Sequence, residues 1–291
     1  MSTGRRRRSD ALALVVGAVV VIGAWQLAVL VGGYEPYLLP GPIDVAARFV
    51  GAWSDGTMTP HAWTTLQEVL LGFVVGAGLG VPVGVLLARS RFAARLLSPY
   101  IVAAQAMPIL ALAPLIALWF GTALLSKVVI CALIVFFPVA VSTMVGVRSV
   151  DPRLVEMARA FRASRNALIR QVELPAALPA ILGGMRVGAT LAVLGAIVGE
   201  WAGADQGLGV LVNLARGSLF DTPLMFATLL TIALLGVALY LVVVLVERRV
   251  VGVRSCCAPK EVSCPWCPID PSRARPGVVP GAPWPASDGS S

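Results

Sequence analysis

Long stretches without a charged side chain divide this chain and restrict what it can fold into. No Asp, Glu, Lys or Arg occurs between Ala11 and Tyr34, between Val69 and Ala88, or between Leu96 and Ser126. A helix of about 20 apolar residues spans the hydrocarbon core of a bilayer. Charged residues make up 13% of the chain, against about 25% in a soluble domain, and the mean hydropathy is +0.86. The sequence predicts an all-α, polytopic membrane protein.

The pattern of apolar runs predicts six membrane-spanning helices. The first run follows a basic leader, Arg5 to Arg8, as it would in a secretory signal peptide. We favour a spanning helix because the run is long and no small-residue cleavage site stands out. Prolines at 99, 108 and 114 predict that the third span is not one straight helix. The expected spans are 11–34, 69–88, 98–120, 128–147, 176–199 and 223–246. Residues 34–65, with His61, and 201–222 are expected as loops.

The basic residues predict the orientation. Of the 23 Lys and Arg residues, all but Arg48, Lys127 and Arg216 fall on the side of the N-terminus when six spans are drawn. Cytoplasmic loops carry an excess of Lys and Arg, so both termini are expected inside the cell. The net charge of +8 is therefore read as orientation information and not as a sign of nucleic-acid binding, because the arginines are not gathered in one patch.

The longest polar interruption, residues 151–175, is predicted to form two short amphipathic helices on the inner side. Asp151 is a helix N-cap with Pro152 at the first helical position, and Ser164 caps the second helix. Leu174 and Pro175 are expected to end it before the chain re-enters the membrane at Pro179. One face of the first helix carries Leu154, Met157, Ala158 and Phe161, and the other carries Arg153, Glu156, Arg159 and Arg162.

An apolar stripe of this kind has two interpretations. It rests on lipid headgroups, or it fits a groove of a partner protein. The physical pattern leaves both open.

Specific residues of this stretch resemble the EAA loop of ABC importer permeases. That loop reads Glu-Ala-Ala, three residues, Gly, nine residues, Ile-x-Leu-Pro, and the spacing here fits it. Glu156, Ala158, Leu174 and Pro175 match by identity and Val172 is conservative, whereas Met157 and Arg162 depart from it. Because Arg162 stands where the loop has glycine, a positive φ at this position would strain the backbone.

Further blocks resemble the nitrate/sulfonate/taurine branch of these permeases, over about residues 36–250. They are Leu39–Pro42, Met107–Pro114, Leu118–Gly121, Phe136–Pro138, and Gly199–Trp201 with Gly207–Gly209. The last block is also similar to permeases for thiamine-pyrimidine precursors or riboflavin.

The resemblance implies a type I ABC importer permease with six transmembrane helices and both termini inside, in the bacterial inner membrane. Its partners would be an ABC ATPase dimer, an external substrate-binding protein, a second permease copy, most simply an identical one, and membrane lipid, with no nucleic acid and no cofactor. The expected divisions are a basic leader (1–10), a permease domain (11–250, with core 66–250 and coupling loop 151–175) and a tail (251–291) that is predicted to be disordered because it holds eight prolines, few apolar residues and no periodicity. The implied ATPase-coupling residues are Glu156, Met157, Ala158, Arg162, Val172, Leu174 and Pro175.

No phosphate-cradling G-x-x-x-x-G-K-[ST] surrounds Lys127 or Lys260. ATP hydrolysis is therefore assigned to a separate subunit, and no catalytic residue is predicted in this chain.

Four residues are candidates for the translocation path, each with a structural alternative. Gln105 would line the path or bond between helices. Pro108 and Pro114 would kink a gating helix or only pack. Glu200 would be functional or an interfacial anchor. Glu156 likewise would pair with a basic group of the ATPase or be a solvated carboxylate balanced by Arg153 and Arg159.

Two other classes of function would need different residues in the spans. A self-sufficient secondary transporter or channel predicts ion-coupling carboxylates deep in the spans, and an intramembrane enzyme predicts a buried catalytic constellation. The sequence shows neither. In the tail, Cys256, Cys257, Cys264 and Cys267 include one C-x-x-C but no second well-spaced pair, so no metal site is predicted.

Overall fold

The structure is a computed structural model that describes residues 3–33, 35 and 37–252. These residues form α-helices, one π-helical turn and connecting turns, and no β-strand occurs among them. The helices are α1 (Thr3–Gly32), α2 (Pro42–Ser54), α3 (Met58–Arg89), α4 (Arg91–Ala106), α5 (Ile109–Phe120), α6 (Leu124–Arg148), α7 (Pro152–Ala160), α8 (Arg165–Leu168), α9 (Leu174–Trp201), α10 (Leu208–Gly217) and α11 (Thr222–Gly252), with the π-turn at Ile169–Glu173.

Among the described residues, four helical segments are long and apolar enough to cross a membrane. They are Met58–Arg89, Leu124–Arg148, Arg165–Trp201 and Thr222–Val250. The all-α membrane fold is thereby confirmed. The count of six crossings stays a prediction, which also requires α1 and the pair α4 and α5 to cross.

The centre of the bundle is a close contact between α3 and α6, made possible by small residues. Gly72, Gly76, Gly80 and Gly84 recur every four residues on the face of α3 that meets α6. A Cβ at Gly76 would lie 2.5 Å from the Ala132 carbonyl oxygen of α6. Small residues at four-residue spacing let two membrane helices approach until their backbones touch. Helix α9 packs against both α6 and α3, and α11 packs on α9.

Ion pairs tie the helices together at the end of the bundle where α3 and α6 finish and α9 begins, here called the loop end. Arg89 of α3 pairs with Glu173 of the π-turn at 3.1 Å. Arg186 of α9 pairs with Glu247 of α11 at 2.7 Å. The opposite end, where α9 finishes and α11 begins, is called the cap end.

The segments expected as loops contain helices, and the expectation was wrong there. Residues 42–54 form α2, residues 208–217 form α10, and α3 begins at Met58, so His61 is helical. These short helices each bury one apolar side against α11, in a cluster of Ala52, Met58, Leu208, Leu211, Ala215, Leu224 and Ala227.

A half-buried ion pair fixes α2 to the start of α11. Arg48 donates to Asp221 at 2.7 Å. The hydrogen bond with Asp221 raises the pKa of the Arg48 guanidinium. Arg48 was expected as an outer-loop charge, and within the fold it is a tertiary contact.

The prediction that the third span is not one straight helix is confirmed, because it is divided into α4 and α5 at Met107–Pro108, where the backbone is extended. Its start is corrected, since α4 begins at Arg91 and not at residue 98. One further predicted boundary is corrected. The second helix of the polar stretch does not end at Leu174–Pro175. Arg165 to Trp201 runs on as one helical segment through the π-turn, in which the Leu174 N–H bonds to the Ile169 carbonyl. The wider turn accommodates a proline that would otherwise clash with the preceding turn. The predicted tail lies outside the described residues from 253 onward.

Candidate functional site

Helix α7 begins as its sequence predicts. The Asp151 carboxylate accepts a hydrogen bond from the Arg153 N–H at 2.9 Å, and Pro152 occupies the first helical turn. Ser164 opens α8 in the same way, because its hydroxyl accepts from the Ala167 N–H at 3.3 Å. The two helix starts of the loop are therefore confirmed.

The apolar stripe of α7 has no cover within the described chain. Leu154, Met157 and Phe161 are exposed by 42, 55 and 82%, Ala158 is half-buried, and α7 contains no buried residue. The carboxylate of Glu156 is exposed and lies within 4.0 Å of no basic group in the described part of the chain. An exposed apolar stripe beside a free carboxylate is suited to contact with another surface.

Arg162 has a positive φ, the conformation expected to strain a residue that replaces the glycine of the EAA loop. Its φ is 56°, in the left-handed region that favours glycine. The Arg162 N–H bonds to the Arg159 carbonyl at 2.9 Å, and the Ala163 N–H bonds to the Ala158 carbonyl at 3.1 Å. This pair of bonds defines the Schellman helix end, whose left-handed position is Arg162. The chain reverses here because of that geometry, and an arginine occupies the strained position.

The end of the loop continues into the membrane helix. Val172, Leu174 and Pro175 are half-buried in and just after the π-turn. The predicted coupling residues thus divide into an exposed group on α7 with Arg162 and a packed group at the start of α9. The continuous helical segment from α8 into α9 connects these two groups of residues.

A buried polar cluster occupies the cap end. Glu200 of α9 is 2% exposed. One of its oxygens accepts from the Thr65 hydroxyl of α3 at 2.5 Å, and the other accepts from the Gly209 N–H. Thr65 accepts in turn from the Leu208 N–H at 2.8 Å, and the His61 Nδ1 accepts from the Gly207 N–H at 3.1 Å.

Three consecutive backbone donors at the start of α10 are therefore satisfied by side chains of α3 and α9. Gly207 has φ 139°, and a Cβ on Gly207 or Gly209 would overlap the Glu200 carboxylate. Glu200 is consequently not an interfacial anchor, because it is buried and caps another helix. Its assignment to the path stays a prediction.

An ion pair beside this cluster was missed from the sequence. Lys127 of α6 lies 3.3 Å from Glu68 of α3, and both side chains are buried. Lys127 was expected as an outer-loop charge, and the structure buries it together with Glu68 and Glu200, the two carboxylates that border the predicted spans 69–88 and 176–199. The only signal in the sequence is that each of these charges borders an apolar run. Their pairing depends on the packing of α3 against α6.

The break between α4 and α5 is the other irregular feature within the bundle. Pro108 precedes α5 and is exposed, and Pro114 lies inside α5 with an exposed ring. The side chain of Gln105 lies outside the described part of the structure. A cavity of about 340 Å³ adjoins the break, lined by Met107, Phe137, Pro138, Ser142 and Leu191 among others.

The described residues form a bundle of apolar helices with one helix broken in mid-course and an uncovered amphipathic loop at one end, features that fit a membrane permease. Comparison with known proteins supports that class. The description "binding-protein-dependent transport system inner membrane component" belongs to the family model that matches residues 80–252. The chain belongs to this family, and it is a multi-pass inner-membrane protein and a permease subunit of an ABC transporter.

Several relatives whose names state a function align with most of the chain. The riboflavin transport system permease protein RibX of Chloroflexus aurantiacus is 44% identical over 83% of this chain and 90% of its own length. The formylaminopyrimidine transport permease protein ThiX of Halalkalibacterium halodurans is 33% identical over 80% and 92%. The putative aliphatic sulfonates transport permease protein SsuC of Bacillus subtilis is 34% identical over 87% and 91%.

Solved structures share the fold. An inward-facing structure of the MetNI methionine ABC transporter matches with a TM-score of 0.60 and 22% identity, over 66% of this chain and 95% of that one. An amino acid ABC transporter matches with a TM-score of 0.53 and 21% identity, over 68% and 97%. At these identities the likeness carries the fold alone.

Proposed function

We propose that a separate ATPase dimer drives this permease by binding the loop 151–175. The observation that carries the proposal is the uncovered apolar stripe of α7, with Leu154, Met157 and Phe161 exposed beside a free Glu156. Apolar helix anchors that dock in a partner's groove have this pattern. The residues assigned to the contact are Glu156, Met157, Ala158, Arg162, Val172, Leu174 and Pro175.

The packed half of the loop gives a route by which ATPase motion reaches the spans. Helix α8 continues into α9 through the π-turn, and Glu173 of that turn pairs with Arg89 at the end of α3. A push on the loop would therefore move α3 and α9 together. We propose that this motion rocks the spans between outward- and inward-facing states, with α4 and α5 able to bend at their break.

A charge reversal at Glu156 tests the coupling. Glu156→Arg is expected to reduce co-purification of the co-expressed ATPase and to abolish uptake. Glu35→Arg makes the same charge change on an exposed residue of the connection between α1 and α2 and serves as the matched control. If the ATPase assembles and uptake proceeds in Glu156→Arg as in the control, the role given to Glu156 is wrong.

The remaining partners follow from the family. We propose that an external binding protein delivers the solute to the cap end and that a second copy of this chain completes the path. Gln105, Pro108, Pro114 and Glu200 are retained as candidates for path or gate. Cross-linking of single cysteines across the α4–α5 break would test the second copy, because a monomeric permease gives no cross-linked dimer.

The proposed substrate class is a heteroaromatic solute of the riboflavin or pyrimidine-precursor type, because RibX is 44% identical over most of this chain and ThiX is also similar. Uptake into proteoliposomes that contain the permease, its ATPase and its binding protein tests this. Riboflavin fluorescence or labelled formylaminopyrimidine should accumulate with ATP. Accumulation of an aliphatic sulfonate alone would overturn the substrate class and leave the permease assignment intact.

The orientation is also proposed: loop end and both termini inside the cell, with residues 251–291 as a tail beyond the permease domain. The arginine-rich loop end supports it. Topology reporters inserted after Thr57 and after Arg162 should report opposite sides of the membrane. The same side for both would refute the arrangement.

A further inference from the structure

A second cavity lies under the coupling loop and has no role in the function described above. Its volume is about 660 Å³, it is open on one side, and it is lined by residues of α7, α8, the π-turn and the loop ends of α3 and α6. Arg89, Arg159, Arg165 and Glu173 supply its charges, and Val147 and Leu168 are among its apolar residues.

The charges in this cavity do not balance. Glu173 is paired with Arg89 at 3.1 Å. Arg159 and Arg165 lie within 4.0 Å of no carboxylate in the described part of the chain. Two arginines from two different helices, both partly open to solvent, thus line one cavity without a carboxylate partner among the described residues. The planar donor fork of arginine matches phosphate oxygens.

The position of the cavity relative to the membrane identifies the source of the anion. Arg89 is the last residue of α3, and Val147 is next to the last residue of α6. Residues at the ends of spanning helices lie at headgroup depth. Basic pockets between membrane helices at that level bind anionic lipid headgroups.

We propose that this cavity binds the phosphate of an anionic phospholipid through Arg159 and Arg165. The apolar residues of the cavity fit a lipid better than free phosphate.

A lipid bound there would restrain the coupling loop. Helix α7 has no buried residue, so little packing holds it against the bundle. A phosphate between Arg159 of α7 and Arg165 of α8 would tie α7 to the helix that continues into α9. The inference therefore goes beyond the proposed coupling: an anionic lipid would set how firmly the coupling loop is held.

The test measures lipid binding by the purified full-length permease, with native mass spectrometry in detergent. Phosphatidylglycerol should bind more tightly than phosphatidylcholine. The double variant Arg159→Gln/Arg165→Gln should weaken phosphatidylglycerol binding by about 30-fold, from about 1 kcal/mol for each arginine. The matched control Arg153→Gln/Arg170→Gln removes the same charge from exposed residues outside the cavity and should bind as the unaltered protein does.

Several outcomes would overturn the proposal. An equal loss in both double variants means that general surface charge binds the lipid. Competition by inorganic phosphate at the same concentration as the lipid means that the site takes a free anion. A second measurement on the unaltered protein covers misfolding of the variant: phosphatidylglycerol, but not phosphatidylcholine, should slow amide hydrogen exchange in residues 152–163. Unchanged exchange contradicts the proposal.

Discussion

Replacing Arg162 by glycine should stabilise the coupling loop. Arg162 is at the left-handed position of the Schellman end of α7, with φ 56°. A left-handed conformation costs a residue with a Cβ about 1–2 kcal/mol. Glycine removes this cost, but it loses about 0.5–1 kcal/mol of extra backbone entropy on ordering. The net gain is about 0.5–1 kcal/mol, which corresponds to a factor of about 2–5 in the local opening equilibrium.

Amide hydrogen exchange measures this directly. The N–H groups of Arg162 and Ala163 close the helix end, so the exchange of residues 162 and 163 reports its opening. In Arg162→Gly their exchange should slow by the same factor of about 2–5.

The control separates the backbone from the charge. Arg162→Ala removes the guanidinium but keeps a Cβ, so exchange should not slow. If the alanine variant slows exchange as much as the glycine variant, or if the glycine variant exchanges faster, the strain assigned to this position is refuted.

Three further changes test the packing of the bundle. Gly76→Ala should lower the free energy of unfolding by about 1–3 kcal/mol, measured by thermal unfolding in detergent, because the added Cβ meets α6. The control Gly78→Ala places its Cβ where nothing lies within 4 Å and should not destabilise the protein. Equal losses in the two variants would contradict the close contact of α3 with α6. Glu200→Ala leaves buried N–H donors of α10 without an acceptor, which should cost about 1–3 kcal/mol of stability. Amide hydrogen exchange should therefore accelerate in residues 207–217. Unchanged exchange there means that the Glu200 cap does not hold α10. Asp221→Asn breaks the half-buried ion pair with Arg48 and should lower the free energy of unfolding by less than about 1 kcal/mol. The free energy of unfolding should also depend less on salt concentration. A loss above about 3 kcal/mol would mean that this ion pair behaves as a buried one.

The sequence predicted the features that depend on nearby residues. Uncharged runs located the cores of α3, α6, α9 and α11, and the side chains of Asp151 and Ser164 located two helix starts. The strain at Arg162 could also be predicted from nearby residues, because it required only the EAA motif and the preference of glycine for positive φ. These features form between residues a few positions apart, so a pattern in the chain is enough to find them.

What the sequence did not reveal depends on contacts between distant segments. Helices α2 and α10 are short and are stable because each of them packs on α11. Glu68 meets Lys127 only because four glycines let α3 and α6 approach. Pro175 looked like a helix end, and the π-turn before it allows the helix to continue. No pattern among neighbouring residues in the sequence indicates these features.

The central claim is that the exposed stripe of α7 binds the ATPase, and a pair of matched variants tests it most directly. Phe161 is 82% exposed at the loop end, and Phe220 is 80% exposed at the cap end. The affinity of purified ATPase for permease in nanodiscs would be measured for Phe161→Glu and for Phe220→Glu. We expect binding to weaken at least about 30-fold in the first variant, as for loss of an aromatic hot spot, and to stay unchanged in the second. Equal affinity of the two variants would contradict it.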